Sequence, residues 1–252
     1  MNNQSYEEKH MFCDRMNTSL NQIDPIGLGD LPENKLMRRF DTKFLVKKES
    51  LPHILKLIKS FYFILEISSK RLCKYQNLYF DTDDQDFYLD HHRKKNKRSK
   101  VRIRKYVDNN AYFLEIKNKF KGITDKKRIC IDSFELQKKY DDFLNQSVLL
   151  NSKLNPVLWN SYERISLISK NGQERLSIDL DLSFQKDEYN SPKSSFAIVE
   201  LKQEKICRSS PFYCEIKKLN IKPTSFSKYC TGMILTKQVK KFNRFKSTVL
   251  KL

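Results

Sequence analysis

The stretch Lys100-Val101-Arg102-Ile103-Arg104 decides the fold class of this 252-residue chain. Charged and aliphatic residues alternate in it with a period of two, which is the period of a β-strand. In a strand, residues two apart share a face, so the three cations lie on one face and the two aliphatic side chains on the other. The stretch therefore predicts a half-buried strand with a row of positive charge along one side.

The same alternation recurs along the chain and predicts eight strands. Short links at 108–110 and 170–172 have the composition of hairpin turns, which favours a chiefly antiparallel sheet. The predicted strands are 38–46, 75–82, 100–107, 112–119, 126–132, 162–168, 174–182 and 196–202.

Helices are predicted at 49–60, 132–144, 209–219 and from about residue 236. Such helices can cover the apolar faces of the strands. If the sheet closes, we expect an α+β fold, a closed eight-stranded antiparallel β-tunnel with covering helices and a polar interior. Residues 1–36 are expected to form a loosely ordered arm, 37–235 the tunnel domain and 236–252 a basic helix or tail.

The polar faces of most predicted strands carry Lys or Arg with an occasional lone carboxylate. For one strand, a solvated outer face is the better interpretation. When this pattern recurs on neighbouring strands, however, the like charges repel one another unless an anion offsets them. The pattern as a whole therefore favours a basic interior that binds a polyanion.

The net charge of +19 agrees with an anionic partner, such as nucleic acid, acidic lipid or a polyphosphorylated molecule. Nucleic acid is not expected, because the aromatic residues beside the cations serve equally well as packing residues in strands. No apolar stretch approaches the length of a membrane span. The six cysteines lack metal spacing and no signal peptide is evident, so we expect a cytoplasmic protein with reduced thiols.

A basic tunnel suits a chain of phosphates, because Arg binds phosphate oxygens in pairs and Lys acts as a point charge. Glu200 lies in the strand Ala197-Ile198-Val199-Glu200-Leu201-Lys202 and suits a divalent cation. Such a cation takes one or two carboxylates together with phosphate oxygens and water. Glu115, a lone carboxylate on another basic face, is the second metal candidate.

A resemblance to a known family rests on nine segments, which are 39–44, 77–82, 100–106, 113–117, 126–128, 162–164, 175–179, 199–202 and 225–229. Each segment alone is weakly specific, but the ordered set is specific. In this order they resemble the vacuolar transporter chaperone (VTC) domain, the polyphosphate polymerase module of the triphosphate tunnel metalloenzyme superfamily. The resemblance spans about residues 38–235.

The resemblance implies an enzyme that transfers the terminal phosphate of ATP to a growing polyphosphate with Mn²⁺ or Mg²⁺. Glu200 would hold the metal and Tyr162 would lie near the base. It also implies a role for basic residues in catalysis, namely Lys43, Arg102, Arg104, Lys117, Arg164, Arg175 and Lys202. Substrate binding would fall to Lys126, Arg128, Tyr162 and Lys228.

Two departures from the family pattern stand out, Asp41 in place of Glu and the segment His91-His92-Arg93 in place of a basic residue. Hydrolysis of inorganic triphosphate is an alternative function, and a non-enzymatic polyphosphate or inositol-phosphate binding module is another. The basic tail is interpreted as a solvated helix face, with peripheral contact to an acidic membrane or a membrane partner left open. The sequence does not predict the oligomeric state.

Overall fold

The computed structural model describes residues 3–31, 39–121, 123–148 and 153–252. Its strands are β1 Pro25–Ile26, β2 Phe40–Lys47, β3 Tyr62–Leu65, β4 Cys73–Asp81, β5 Lys97–Tyr106, β6 Ala111–Phe120, β7 Ile123–Ile131, β8 Asn155–Ser169, β9 Glu174–Lys186, β10 Tyr189–Asn190 and β11 Phe196–Gln203. Its α-helices are α1 Asn3–Asn21, α2 Leu51–Ile58, α3 Asp86–His92, α4 Asp141–Ser147, α5 Pro211–Lys218, α6 Lys228–Leu235 and α7 Lys246–Val249.

The chain forms two compact units, and β8 and β9 contribute residues to both. Unit 1 comprises Met1–Cys73, Arg164–Leu180 and Ser195–Ser225. Unit 2 comprises Lys74–Glu163, Asp181–Ser194 and Phe226–Leu252.

In unit 1 the strand order is β2-β11-β9-β8-β3, with β1 parallel to β3. One face of this sheet is apolar and packs against α1, α2 and α5. The helix α2 buries Leu51, Ile54, Leu55 and Ile58, the spacing that places apolar residues on one helix face. The predicted covering of apolar strand faces by helices is confirmed here.

In unit 2, β8, β4, β5, β6 and β7 follow one another in the sheet. The register pairs Val101 with Ile116 and Ile103 with Leu114, and all four side chains are fully buried. The β5 to β6 hairpin turns through Asn110, whose positive φ of 54° suits Asn. Because side chains alternate, burial of this apolar face leaves Lys100, Arg102 and Arg104 of β5 together on the opposite face.

The predicted antiparallel β-sheet of eight main strands with helices is confirmed. Backbone hydrogen bonds do not close it within the described residues, since β2 pairs with β11 alone and β7 with β6 alone. Strand β2 begins at Phe40, and the predicted start at residue 38 lies outside the described residues.

Helix predictions were less accurate than strand predictions. The helix predicted at 132–144 is Asp141–Ser147, which begins where two acids in the first turn favour the helix N-terminus. The predicted C-terminal helix is reduced to Lys246–Val249. Helices α1, α3 and α6 were not predicted.

The division at residues 36 and 236 stays a prediction, and residues 32–38 lie outside the described residues. No helix in the described part of the chain is long and apolar enough to cross a membrane.

Candidate functional site

Seven cations define what we call the unit 2 basic face. Strand β5 supplies three of them, β6 one, β7 two and the first residue of α6 the last. The register pairs Lys117 with both Lys100 and Lys126, and Glu115 with both Arg102 and Arg128. Directly paired residues share a face, so the predicted row of charge extends across three strands. The seven are Lys100, Arg102, Arg104, Lys117, Lys126, Arg128 and Lys228.

Glu115 lies at the centre of this face and is 2% exposed. Its Oε2 accepts from Arg102 Nε at 2.9 Å and from Arg102 Nη2 at 2.6 Å. Its Oε1 accepts from Lys126 Nζ at 2.7 Å, and Arg104 Nε lies 3.8 Å from Oε2. One buried carboxylate therefore binds Arg102 and Lys126 by charge-assisted hydrogen bonds and forms a longer ion pair with Arg104.

The protonation of this cluster follows from burial and pairing. Burial alone raises the pKa of Glu115, but Arg102, Arg104 and Lys126 outweigh it and hold that pKa well below its usual range. Burial lowers the pKa of Lys126 to about 8, although Glu115 acts in the opposite direction. Glu115 is therefore ionised at neutral pH, and Lys126 loses its charge at mildly alkaline pH.

Aromatic and amide side chains orient Arg102 and Arg104 of β5. Arg102 donates to the hydroxyl of Tyr79 at 3.1 Å. Arg104 donates to Asn77 Oδ1 at 3.0 Å and to the hydroxyl of Tyr162 at 3.1 Å. These contacts restrain the guanidinium groups, so little side-chain freedom is lost when they bind an anion.

The beginning of α6 contributes to the same face. Lys228 Nζ lies 4.6 Å from the centre of the Tyr162 ring, a cation–π contact. Lys100 Nζ donates to Ser227 Oγ at 3.0 Å, and that hydroxyl caps α6 by accepting from the backbone N–H of Cys230. The buried Tyr229 donates from its hydroxyl to Asp81, which fixes the first turn of α6.

Asp81 also fixes α3, the helix that follows β4. Its carboxylate accepts from the backbone N–H groups of Thr82 at 2.8 Å, Phe87 at 2.9 Å and Tyr88 at 3.0 Å. A carboxylate at a helix N-terminus satisfies donors that otherwise lack partners. Asp81 thus links the end of β4 to both α3 and α6, and sequence reasoning did not identify this role.

Unit 1 carries a second basic face with more carboxylates. Lys43 Nζ lies 3.6 Å and Lys202 Nζ 3.0 Å from the carboxylate of Glu200. Arg164 binds Asp179 with two hydrogen bonds of 2.5 and 2.9 Å. Arg175 joins this face because it pairs in register with Lys202, as does Asp41 on the other side. Burial lowers the pKa of Lys202, an effect that Glu200 opposes.

The two metal candidates differ in fit. Both oxygens of Glu115 are bound by cations, so this carboxylate suits the positioning of Arg102 and Lys126 better than a metal. Within the described residues, no three His, Cys, Asp or Glu side chains cluster as a metal site. Glu200 is bound less tightly, since Lys202 Nζ lies 3.0 Å from Oε2 and Lys43 Nζ 3.6 Å from Oε1. It stays the predicted ligand, as a single carboxylate that would share a divalent cation with phosphate oxygens.

The predicted site residues thus fall into two groups. Unit 2 holds Arg102, Arg104, Lys117, Lys126, Arg128, Tyr162, Lys228 and Glu115. Unit 1 holds Lys43, Arg164, Arg175, Lys202 and Glu200. Sequence reasoning missed the residues that orient these groups, Asn77, Tyr79 and Asp179, because their partners depend on strand register.

Comparison with known proteins gives a family and several distant structures. The model of the VTC domain family matches residues 38–237. No curated protein matches the chain.

Three similar solved structures align with this chain over most of their own length and most of its length. A proposed adenylate cyclase from Vibrio parahaemolyticus is 8% identical, with a TM-score of 0.46 and 75% of this chain and 94% of that chain covered. A proposed adenylate cyclase from Bacillus halodurans is 16% identical, with a TM-score of 0.47 and coverage of 74% and 92%. The Hippeastrum protein HpAC1, described as having a dominant triphosphatase activity, is 14% identical, with a TM-score of 0.45 and coverage of 81% and 97%. Because the family model matches most of the chain, the protein belongs to the VTC domain family.

Proposed function

We propose that this protein is a polyphosphate polymerase that transfers the terminal phosphate of ATP to a growing inorganic polyphosphate. The observation that carries the proposal is the unit 2 basic face, which combines seven cations with the single carboxylate of Glu115. An ordinary sheet surface mixes both signs of charge. A face with this excess of positive charge is stable when a polyanion offsets the repulsion.

The chemistry requires positioning more than a protein nucleophile. Phosphoryl transfer passes through a loose transition state whose charge is spread over the phosphate oxygens. Arg102 and Arg104 are restrained by Glu115, Tyr79, Asn77 and Tyr162, so their N–H groups are preorganised for those oxygens. We infer that the two guanidinium groups stabilise the charge that develops during transfer.

The number of cations favours a polymeric second substrate. A nucleoside triphosphate presents three phosphates, whereas the unit 2 basic face alone presents seven cations. The surplus suits an acceptor chain bound beside the donor. An acceptor held in place reacts at a higher effective concentration than competing water.

A divalent cation is assigned to Glu200, with Mn²⁺ or Mg²⁺ as the ions expected. When bound, such an ion neutralises phosphate charge and polarises the phosphoryl oxygen. The residues around Glu200 affect how tightly this carboxylate would bind the ion. Lys43 and Lys202 already pair with this carboxylate, so we expect the ion to bind tightly only with phosphate present.

Neighbouring lysines on β7 provide a matched test of the anion site. Lys126 binds Glu115 on the basic face, whereas Lys127 is exposed and pairs in register with Ile116 on the opposite face. Both substitutions, Lys126→Ala and Lys127→Ala, remove one positive charge. At physiological salt, distant surface charges are screened. Only the contact on the basic face should therefore matter.

Calorimetric titration with inorganic tripolyphosphate measures the difference. A charge-assisted hydrogen bond contributes about 1.5 to 3 kcal/mol, so Lys126→Ala should weaken binding by about 10-fold to 150-fold. Lys127→Ala should change the affinity by less than about twofold. Equal affinities for both variants, with both folded, would show that the unit 2 face is not the anion site.

A further inference from the structure

Three basic segments of unit 2 have no role in the proposed function. The first is the link from α3 into β5, residues 92–98. The second is formed by the adjoining ends of β6 and β7, residues 119–121 and 123. The third is part of the C-terminal tail, residues 240–246.

Hydrogen bonds hold these three segments together. The backbone N–H of Lys121 donates to the carbonyl oxygen of Asn96 at 3.3 Å, which joins the end of β6 to the link. Arg244 Nη1 donates to the carbonyl oxygen of His92 at 3.1 Å, which joins the tail to the same link. The segments therefore form one continuous surface, which we call the basic end of unit 2.

The basic end carries a strong excess of positive charge. Its segments contain no Asp or Glu. The nearby Asp90 already pairs with Lys95 at 2.6 Å. Eight further cations are exposed and form no ion pair within the described residues, namely Arg93, Lys94, Lys97, Lys121, Lys240, Lys241, Arg244 and Lys246.

Two large apolar side chains lie exposed among these cations. Phe120 is 54% and Ile123 is 66% exposed, and the two pair in register at the ends of β6 and β7. Lys97 pairs with Phe120 from the other side. Because side chains alternate, this pair lies on the face opposite Lys117 and the rest of the unit 2 basic face. Adjacent exposed apolar groups of this size indicate a surface that a partner covers.

The combination of charge and apolar contact selects the partner. A soluble polyanion would use the cations, but it has no apolar group to cover Phe120 and Ile123. A second copy of this chain would bring the same eight cations against the first eight, which would repel them. An anionic lipid bilayer offers acidic headgroups to the cations and acyl chains to the apolar pair.

We propose that the basic end of unit 2 is a membrane-docking surface that binds the acidic headgroups of an anionic bilayer, with Phe120 and Ile123 inserted between the lipids. Docking is peripheral, since it uses the ends of strands and a tail on the protein surface. The inference does not depend on the proposed function, because none of these residues belongs to the unit 2 basic face.

Co-sedimentation of the full chain with lipid vesicles tests the inference. Vesicles of phosphatidylcholine with about one third phosphatidylserine supply the anionic surface, and vesicles of phosphatidylcholine alone supply the neutral one. Phe120→Ser and Ile123→Ser test the apolar contact. Phe61→Ser is the matched control, because Phe61 of unit 1 is 50% exposed.

A second pair of variants tests the charges. Lys97→Glu reverses a charge of the basic end. Lys205→Glu reverses an exposed charge on the link after β11 in unit 1 and serves as its control. Calorimetric titration with tripolyphosphate, carried out on the wild type and Phe120→Ser, shows whether the anion site is affected.

The wild type should bind the anionic vesicles and not the neutral ones. Since Phe120 and Ile123 are about half exposed, Phe120→Ser and Ile123→Ser should each weaken vesicle binding by about 4-fold to 15-fold. A basic residue at an anionic bilayer contributes roughly a factor of five, so Lys97→Glu, which changes the charge by two, should weaken binding by about 25-fold. Phe61→Ser and Lys205→Glu should match the wild type within about twofold. Tripolyphosphate affinity should be the same in Phe120→Ser as in the wild type.

Failure of the wild type to bind anionic vesicles overturns this inference and leaves the proposed function standing. Equal weakening by Phe120→Ser and Phe61→Ser also overturns it, because the contact would then lie elsewhere. Weakening by the charge reversal alone overturns it in favour of a soluble polyanion. Absence of tripolyphosphate binding by the wild type counts against the proposed function only. Misfolding of Phe120→Ser, checked by thermal unfolding, leaves Ile123→Ser to decide.

Discussion

Removal of the Glu115 charge should separate stability from anion binding. The carboxylate is 2% exposed and compensates Arg102, Arg104 and Lys126. In Glu115→Gln these three cations lose their shared anion while the side chain keeps its size. The protein should become less stable. At a pH low enough to keep Lys126 charged without Glu115, which raises the pKa of that lysine, the affinity for a polyanion should increase.

The magnitude follows from the burial of each partner. Loss of one member of a buried ion pair costs about 3 to 5 kcal/mol. The Arg104 side chain is 6% exposed, but Lys126 is 38% exposed and can regain water. We therefore expect the lower end, about 3 kcal/mol, which for a chain of this size lowers the melting temperature by roughly 6 to 12 °C.

Thermal unfolding with and without tripolyphosphate, in the absence of divalent metal, measures both effects. A ligand at a hundred times its dissociation constant stabilises the folded state by about 2.7 kcal/mol. At one fixed ligand concentration, Glu115→Gln should be stabilised more than the wild type because it binds more tightly. Glu163→Gln is the control, since Glu163 is 26% exposed and its pair with Lys74 spans 3.8 Å, so it should cost less than about 1 kcal/mol.

Two results would refute this account of Glu115. Unchanged stability would mean that the three cations do not depend on it. Weaker tripolyphosphate binding by Glu115→Gln without any metal would mean that the carboxylate assists the anion rather than competing with it.

Three further predictions concern the same faces. Tripolyphosphate affinity should fall as the pH rises through about 8, where Lys126 loses its charge, and Lys126→Arg should abolish that fall in calorimetric titrations. Glu200→Gln should reduce turnover by about 100-fold or more at saturating ATP, and should leave tripolyphosphate binding without metal within about threefold. The control Glu204→Gln, on the exposed link after β11, should match the wild type in both assays. Arg102→Ala should reduce the rate more than the binding of ATP, because its contribution grows as charge develops during transfer, and steady-state kinetics that show a change in KM alone would contradict it.

Strand positions and their polar faces could be predicted from the sequence because the signal is local. In β5, the alternation of Lys100, Arg102 and Arg104 with Val101 and Ile103 specifies which side is buried. The same is true of β11, where Val199 and Leu201 are buried and Glu200 and Lys202 lie on the other face. The buried face of each strand can therefore be predicted from the residues of that strand alone.

The internal partners of the basic faces could not be predicted, because they depend on register between strands. The sequence shows a glutamate at position 115, and this residue type is the same whether its carboxylate binds a metal or three cations. The pairing of β5, β6 and β7 is what places it beside Arg102 and Arg128. A lone acid in a basic strand is the signal that sequence reasoning has, and it does not distinguish the two roles.

Helix α1 shows a second limit of the sequence signal. Its residues are mostly polar, and its contribution to the core of unit 1 comes from Met16, Leu20 and the partly buried Phe12, with Ile23 just beyond its end. Three apolar side chains four residues apart, in a helix of 19 residues, are too few for a clear helical period. Packing against the rest of unit 1, rather than a helical period in its sequence, stabilises this helix.

The fate of the terminal phosphate of ATP tests the central claim most directly. Purified protein is incubated with ATP labelled at that phosphate, a short polyphosphate and Mn²⁺, and the label is measured in polyphosphate and in free phosphate. We predict lengthened polyphosphate that carries the label, ADP in equal amount and little free phosphate. Label recovered chiefly as free phosphate, with no growth of the chain under Mn²⁺ or Mg²⁺, would contradict the polymerase and favour a triphosphatase.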